Sequence, residues 1–340
     1  MREACPRPAF AGTPTPRRLG QDALALSLTS HLRRPGSPVR AFFVERLSAT
    51  GSVVRGASAQ LREGRKRAPL AASADVNHGR AGTAVDYLLR FALAPDPCPA
   101  HSAGRKGAGM LGRDASMSAM VAVDEALTFV ANLAPHRRNV TDEQWRAMTQ
   151  ISLLLATLEV VYRSGLPPPF LEELDNVPSR WREWTDVVCT EAEVEDVAIL
   201  GWAATQDHHD LRGRSLRCNP HFAQTRALGG ADADLLTDAG LLLDFKSTST
   251  TSVCSRTDIW QLCGYALADT EDELGITSVG LSALRWRTRV VWPLSELLRE
   301  LADEPVHLPS LRNDFAATVH RPRPQRQPRR ATIRRRTESP

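Results

Sequence analysis

The feature that most restricts how this chain can fold is the run from Gly229 to Ala268. It reads Gly-Gly-Ala-Asp-Ala-Asp-Leu-Leu-Thr, then Asp-Ala-Gly, then Leu-Leu-Leu-Asp-Phe-Lys, a Ser/Thr-rich connector, and Asp-Ile-Trp-Gln-Leu-Cys-Gly-Tyr-Ala-Leu-Ala. Ala231 to Leu236 and Leu241 to Lys246 are strand-like, and Asp238-Ala239-Gly240 fits a three-residue hairpin loop whose last residue needs positive φ. Such a loop pairs Thr237 with Leu241, which sets Asp234 opposite Asp244 and Asp232 opposite Lys246. Because side chains alternate faces, these four polar groups share one side of the hairpin, while Ala233, Leu235, Leu243 and Phe245 line the other. A one-residue slip would mix acids into the apolar face, so the pattern itself selects this register.

Two carboxylates with Cβ atoms roughly 5 Å apart repel one another unless a cation lies between them. Hard oxygen ligands of this kind suit Mg²⁺ or Mn²⁺. The ammonium of Lys246 beside such an ion can orient water or offset charge on a phosphate. The plainer alternative is a solvated hairpin face. Against it stands the composition: of 43 basic residues only Lys66, Lys106 and Lys246 are lysines. A compact ammonium kept among broad guanidinium forks points to a specific chemical need.

With these residues the stretch resembles the restriction-endonuclease-like, or PD-(D/E)xK, nuclease superfamily, and within it the RecB-like and Cas4-like branch. The matching residues are Asp234 or Asp232, Asp244, Lys246, and the Gln-x-x-x-Tyr of Gln261 and Tyr265. Gly-Gly-Ala-Asp-Ala-Asp with Asn219-Pro220-His221-Phe222 upstream is similar to an uncharacterised bacterial group of such proteins. The resemblance spans about fifty residues, a small part of the 340-residue chain. It implies an α/β (α+β) fold with a restriction-endonuclease-like core, a mixed central sheet flanked by helices. It also implies a divalent-metal-dependent nuclease, with DNA the expected partner. A non-catalytic nucleic-acid-binding protein that keeps the fold is the alternative. The branch further implies an acid from an upstream helix, for which Glu159 is the first choice. Glu159 lies within the apolar run Ile151 to Val161, where a carboxylate is costly unless paired or metal-bound. Its plainer reading is an i,i+4 ion pair with Arg163. The metal set expected is thus Asp234, Asp244, Glu159 and Asp232, with Glu191, Glu193, Glu195, His208 and His209 as rivals.

Along the chain, residues 1–20 are Pro/Arg-rich and expected to be disordered. Residues 21–205 read as mainly helical, 206–305 as the nuclease core with helix 142–163 a candidate to pack onto it, and 306–340 as a basic, disordered Pro/Arg-rich tail. Helices are expected over Asp22 to Leu32, Val39 to Leu47 after Pro38, Val85 to Leu93, Ser118 to Leu133, Asp142 to Arg163 and Val194 to Thr205. Thr141 with Gln144 and Ser255 with Asp258 are capping boxes. Residues 56–82 and 95–114 read as polar, glycine-punctuated connections. Gly264 between Gln261 and Tyr265 costs a helix about 1 kcal/mol, which a close approach by a strand or ligand would explain. Arg285, Trp286, Arg287 and Arg289 form either a nucleic-acid contact or a charged edge strand.

The formal net charge of +4 hides an asymmetry: the eight arginines of residues 321–336, less Glu338, leave the remainder at −3. Such a tail suits salt-sensitive contact with phosphate backbones. Six cysteines without metal-ligand spacing read as free thiols in a reducing compartment, and a cytoplasmic location is expected. No run reaches the length of a membrane span, so no membrane partner is expected. Nor does the chain carry a Gly-rich phosphate loop ending in Gly-Lys-Ser/Thr.

Overall fold

The computed structural model describes residues 27–64, 70, 75–94, 102–133, 139–172, 177–212, 214–231, 233–248 and 254–320. Expectations for the first 20 residues, for Asp232 and for the arginine-rich run after residue 320 fall outside them. At the centre is a five-stranded mixed sheet in the order β1 (Leu216–Cys218), β2 (Leu235–Thr237), β3 (Leu241–Lys246), β4 (Ser278–Ala283), β5 (Thr288–Pro293). All neighbours are antiparallel except β3 and β4, which run parallel because helix α11 (Arg256–Ala268) carries the chain across between them.

The hairpin has the register the sequence predicts: Leu235 pairs with Leu243 and Leu236 with Leu242, with Gly240 at φ +76° closing the loop. Its two faces enter different cores. Leu235, Leu243 and Phe245 face helices α4 (His78–Leu93), α7 (Asp142–Ser164) and α10 (Glu191–Asp207). Leu236 and Leu242 pack with α11 and with α1 (Leu28–Arg33), α2 (Pro38–Arg46), α3 (Thr50–Gly64), α12 (Leu294–Ala302) and α13 (Leu308–Val319). A sheet buried on both faces explains the unbroken apolar run of β3. Ala233, expected beside Leu235, packs instead with Leu236, because strand pairing stops at Leu235 and the backbone is no longer bound to alternate.

Several helices follow their sequence signals. Both predicted capping boxes form, at Thr141–Gln144 and Ser255–Asp258, and Pro38 opens α2. Others depart from expectation. The second half of α3 and all of α5 (Ala103–Ala108) occupy segments read as connections. Gly107 of α5 serves contact: a Cβ there would run into the Leu158 carbonyl, so α5 rides directly on the backbone of α7. The region 21–205 divides between the two cores rather than forming one helical part, since α1 to α3 join the C-terminal helices. Residues 308–319, assigned to the tail, form α13; Phe315 packs on Phe42 and Phe43, and Arg312 donates to the Ala266 carbonyl. That helix owes its order to long-range burial, which local periodicity does not report. Among the described residues no helix is long and apolar enough to cross a membrane.

Candidate active site

β2 ends where β3 still has three residues to run, so the sheet opens beside Asp244, Phe245 and Lys246. Asp234 fills the place of the missing ladder partner, its Oδ2 accepting the Phe245 backbone N–H at 2.6 Å. A carboxylate is thereby fixed next to the end of β3 by the backbone itself.

Lys246 is held from three sides. Its Nζ lies 2.6 Å from Asp244 Oδ2 and 3.6 Å from Asp258 Oδ1, and it donates to Gln261 Oε1 at 3.1 Å. Gln261 Nε2 in turn donates to the Tyr265 hydroxyl at 2.6 Å. Phe222, from the upstream Asn-Pro-His-Phe, stacks flat on the Tyr265 ring. Asp258 both caps α11 and faces Lys246, so the helix start and the ammonium are positioned together. The four-residue spacing of Gln261 and Tyr265 therefore continues the polar chain that begins at Asp244.

This polar cluster is not a solvated face. Asp244 is 4%, Gln261 8% and Tyr265 3% exposed, which corrects the solvated-hairpin reading. Asp244 Oδ2, although close to Lys246, has no donor aligned for a hydrogen bond.

Sequence reading missed Asp86. On α4, Gly82, Asp86 and Arg90 stand four apart on one face, and this face crosses the open end of the sheet. A Cβ on Gly82 would meet Ser247 Oγ at 2.5 Å, so the helix is pressed against the residue after Lys246. Asp86 interacts electrostatically with Asp234, Asp244 and Glu159, and Arg90 with Asp86, Asp234 and Cys218. The available signal was the i,i+4 pair of charges within the largely apolar run Ala84 to Leu93.

Glu159 follows its plainer reading. Its carboxylate accepts from Arg163 Nε at 2.6 Å and from the Tyr87 hydroxyl at 2.7 Å, so it borders the acid cluster with its own partners. The rivals lie elsewhere. Glu193 pairs with Arg80, Glu191 with Arg146, and Glu195 is exposed. His208 is buried on the opposite face of the sheet, its Nδ1 against the Ala204 carbonyl and Nε2 against Ser282 Oγ, and burial holds its pKa below the usual histidine value. With His209 it lines a cavity of about 240 Å³ whose charged groups, Arg287 with Asp207 and Arg289 with neighbouring Asp210, satisfy one another.

The interleaved arginines accordingly do not stand free for nucleic acid. Leu284–Trp286 is a 3₁₀ turn between β4 and the edge strand β5, so of Arg285, Trp286, Arg287 and Arg289 only Arg289 lies on a strand, and Arg285 is fully buried in the turn. Its guanidinium grips Asp196 at 2.9 and 2.6 Å and donates to the Ser247 carbonyl at 2.7 Å, which anchors the chain just past Lys246.

Burial shapes the acids of the opened edge. Desolvation, with the charges of Glu159 and Asp244, raises Asp86 from 3.8 to about 6 against the opposing pull of Arg90, and desolvation with the charges of Asp86 and Asp244 raises Asp234 well above its ordinary value. Desolvation also raises Asp244, with Lys246 pulling the other way. Burial draws the Lys246 pKa down, but Asp244 and Asp258 more than offset it, and the ammonium stays charged.

Comparison with family models, with curated proteins and with solved structures finds no match.

The fit of these residues to a divalent ion rests on their chemistry. Carboxylate oxygens are hard donors, their mutual repulsion is what a cation relieves, and Asp244 Oδ2 is a buried acceptor lacking an aligned donor. Among the described residues no three His, Cys, Asp or Glu side chains draw together as a ready metal cage.

Proposed function

We propose that the chain is a divalent-metal-dependent phosphodiesterase of the nuclease type, with DNA as the expected substrate, built on a restriction-endonuclease-like core. The observation that carries this reading is the charge imbalance at the opened sheet edge. Among the described residues, the carboxylates of Asp86, Glu159, Asp234, Asp244 and Asp258 meet only three cations, Arg90, Arg163 and Lys246. The deficit of two charges is what one Mg²⁺ or Mn²⁺ would supply.

Asp234 and Asp244, with Asp86 from α4, would hold the ion; Asp232 remains a candidate by sequence alone. When bound, such an ion supplies Lewis-acid stabilisation of the scissile phosphate. Lys246 offsets charge that develops on the phosphate oxygens, and the chain from Gln261 to Tyr265 keeps its ammonium aimed into the site. The experiment is cleavage of labelled DNA and RNA with Mg²⁺ or Mn²⁺ by the wild type and by a Lys246→Ala variant shown by circular dichroism to be folded. Cleavage lost in the variant supports the reading; equal cleavage by both overturns the role of Lys246.

The Lys246 to Asp244 ion pair at 2.6 Å favours a second reading, a nucleic-acid-binding protein without catalysis. There the ammonium already offsets the carboxylate charge that an ion would neutralise. Binding of DNA that persists in Asp244→Asn, with no cleavage by the wild type, would select it.

A further inference from the structure

Arg90 stands inside the acid cluster without an obvious part in phosphate chemistry. It forks onto Asp86, with Nε 3.2 Å from Oδ1 and an Nη on Oδ2, so both carboxylate oxygens are engaged. Its guanidinium lies over the Tyr87 ring at 5.1 Å. That ring is itself pinned, because the Tyr87 hydroxyl donates to Glu159 and accepts from the Gly104 N–H. With a side chain only 11% exposed, Arg90 is clamped between an acid and an aromatic wall.

We propose that Arg90 is a built-in rival to the metal: guanidinium and divalent ion compete for the Asp86 carboxylate, so Arg90 keeps the metal affinity of the free protein low. This rests on the metal-dependent reading of the site. A planar fork satisfies two oxygens at once and cannot shed its charge, so the ion gains Asp86 only by dislodging at least one arm. The same fork can turn to a phosphate oxygen, which offers it equivalent partners. A nucleic-acid backbone in the site thus frees Asp86 as it arrives, and metal binding tightens with substrate present.

The test is titration of Mn²⁺ alone, followed by calorimetry and by the thermal midpoint, into the full-length wild type, Arg90→Gln, Arg90→Lys and Asp244→Asn. Arg90→Gln should bind Mn²⁺ on the order of tenfold more tightly than the wild type, with a larger rise in thermal midpoint per unit of added ion. Arg90→Lys, which keeps the charge but loses the fork, should fall between them and guards against a variant that fails to fold. Saturable binding in the wild type with equal or weaker binding in both Arg90 variants overturns the competition and leaves the metal site standing. Absence of saturable binding in wild type and Arg90 variants alike removes the metal reading, and the competition with it. Loss of binding in Asp244→Asn alone places the ion at this cluster.

Discussion

Two charged regions flank the same end of the sheet, and they are built on opposite principles. Beside β4 and β5, acids of α10 and its following turn meet arginines one for one: Asp196 with Arg285, Asp207 with Arg287, Asp210 with Arg289. Around the end of β3, carboxylates outnumber cations, and those of Asp86, Asp234 and Asp244 are pushed toward holding protons. Matched pairs are what a fold uses to stitch elements together. A buried cluster left short of positive charge costs stability and persists only where something else repays it.

The largest effect that would sharpen this contrast concerns the matched side. Arg285→Ala leaves Asp196 buried and unpaired and frees the Ser247 carbonyl, and should cost about 3 to 5 kcal/mol in chemical denaturation. Replacing both partners, as Arg285→Met with Asp196→Leu, should recover most of that loss; no recovery would mean that Arg285 does more than pair. On the unmatched side Asp244→Asn should act in the reverse sense. Cleavage should drop by roughly 10²- to 10³-fold, while the metal-free protein keeps or gains thermal stability because a repelling charge is gone.

A pH series tests the same difference without mutation. Asp86 binds its proton with a pKa of about 6 in the folded chain against 3.8 ordinarily, so between about pH 4 and 6 the folded state holds the extra proton. Stability of the metal-free protein should therefore fall as pH rises through that window, by on the order of 2 to 3 kcal/mol from this group. Saturating Mn²⁺ should flatten the slope; an unchanged slope with Mn²⁺ would separate the acids from any ion. The smallest effect belongs to the exposed rim. Arg289→Ala removes a half-exposed pair and should shift stability by less than about 1 kcal/mol.

Much of the hairpin was legible in the residues. Gly240 fixed the loop, and the apolar alternation fixed the pairing of Leu235 with Leu243, because slippage would have buried acids among leucines. The two capping boxes and the shared face of Gln261 and Tyr265 are equally local. Gly264 was read as a sign of close approach by a strand or ligand; the neighbour is instead the Leu28 side chain of helix α1, whose Cδ2 would lie 2.8 Å from an added Cβ. The identity of the neighbour was not local, since more than two hundred residues separate the two. Asp86 was hidden for the same reason. An Asp and an Arg four apart on a helix look like an ordinary surface pair until the helix is laid across the sheet.

What the sequence determined by itself was everything set by neighbours along the chain: the hairpin and its register, the helix starts, and the shared faces of Asp244 with Lys246 and of Gln261 with Tyr265. Only the tertiary structure decided that both faces of the sheet are buried, that Arg285 is an internal clasp rather than a surface contact, and that Asp86 and Arg90 of α4, more than Glu159 of α7, stand with Asp234. The physical reason is range. Turn geometry and capping act within a few residues, whereas desolvation and charge repulsion depend on which distant elements close over a site.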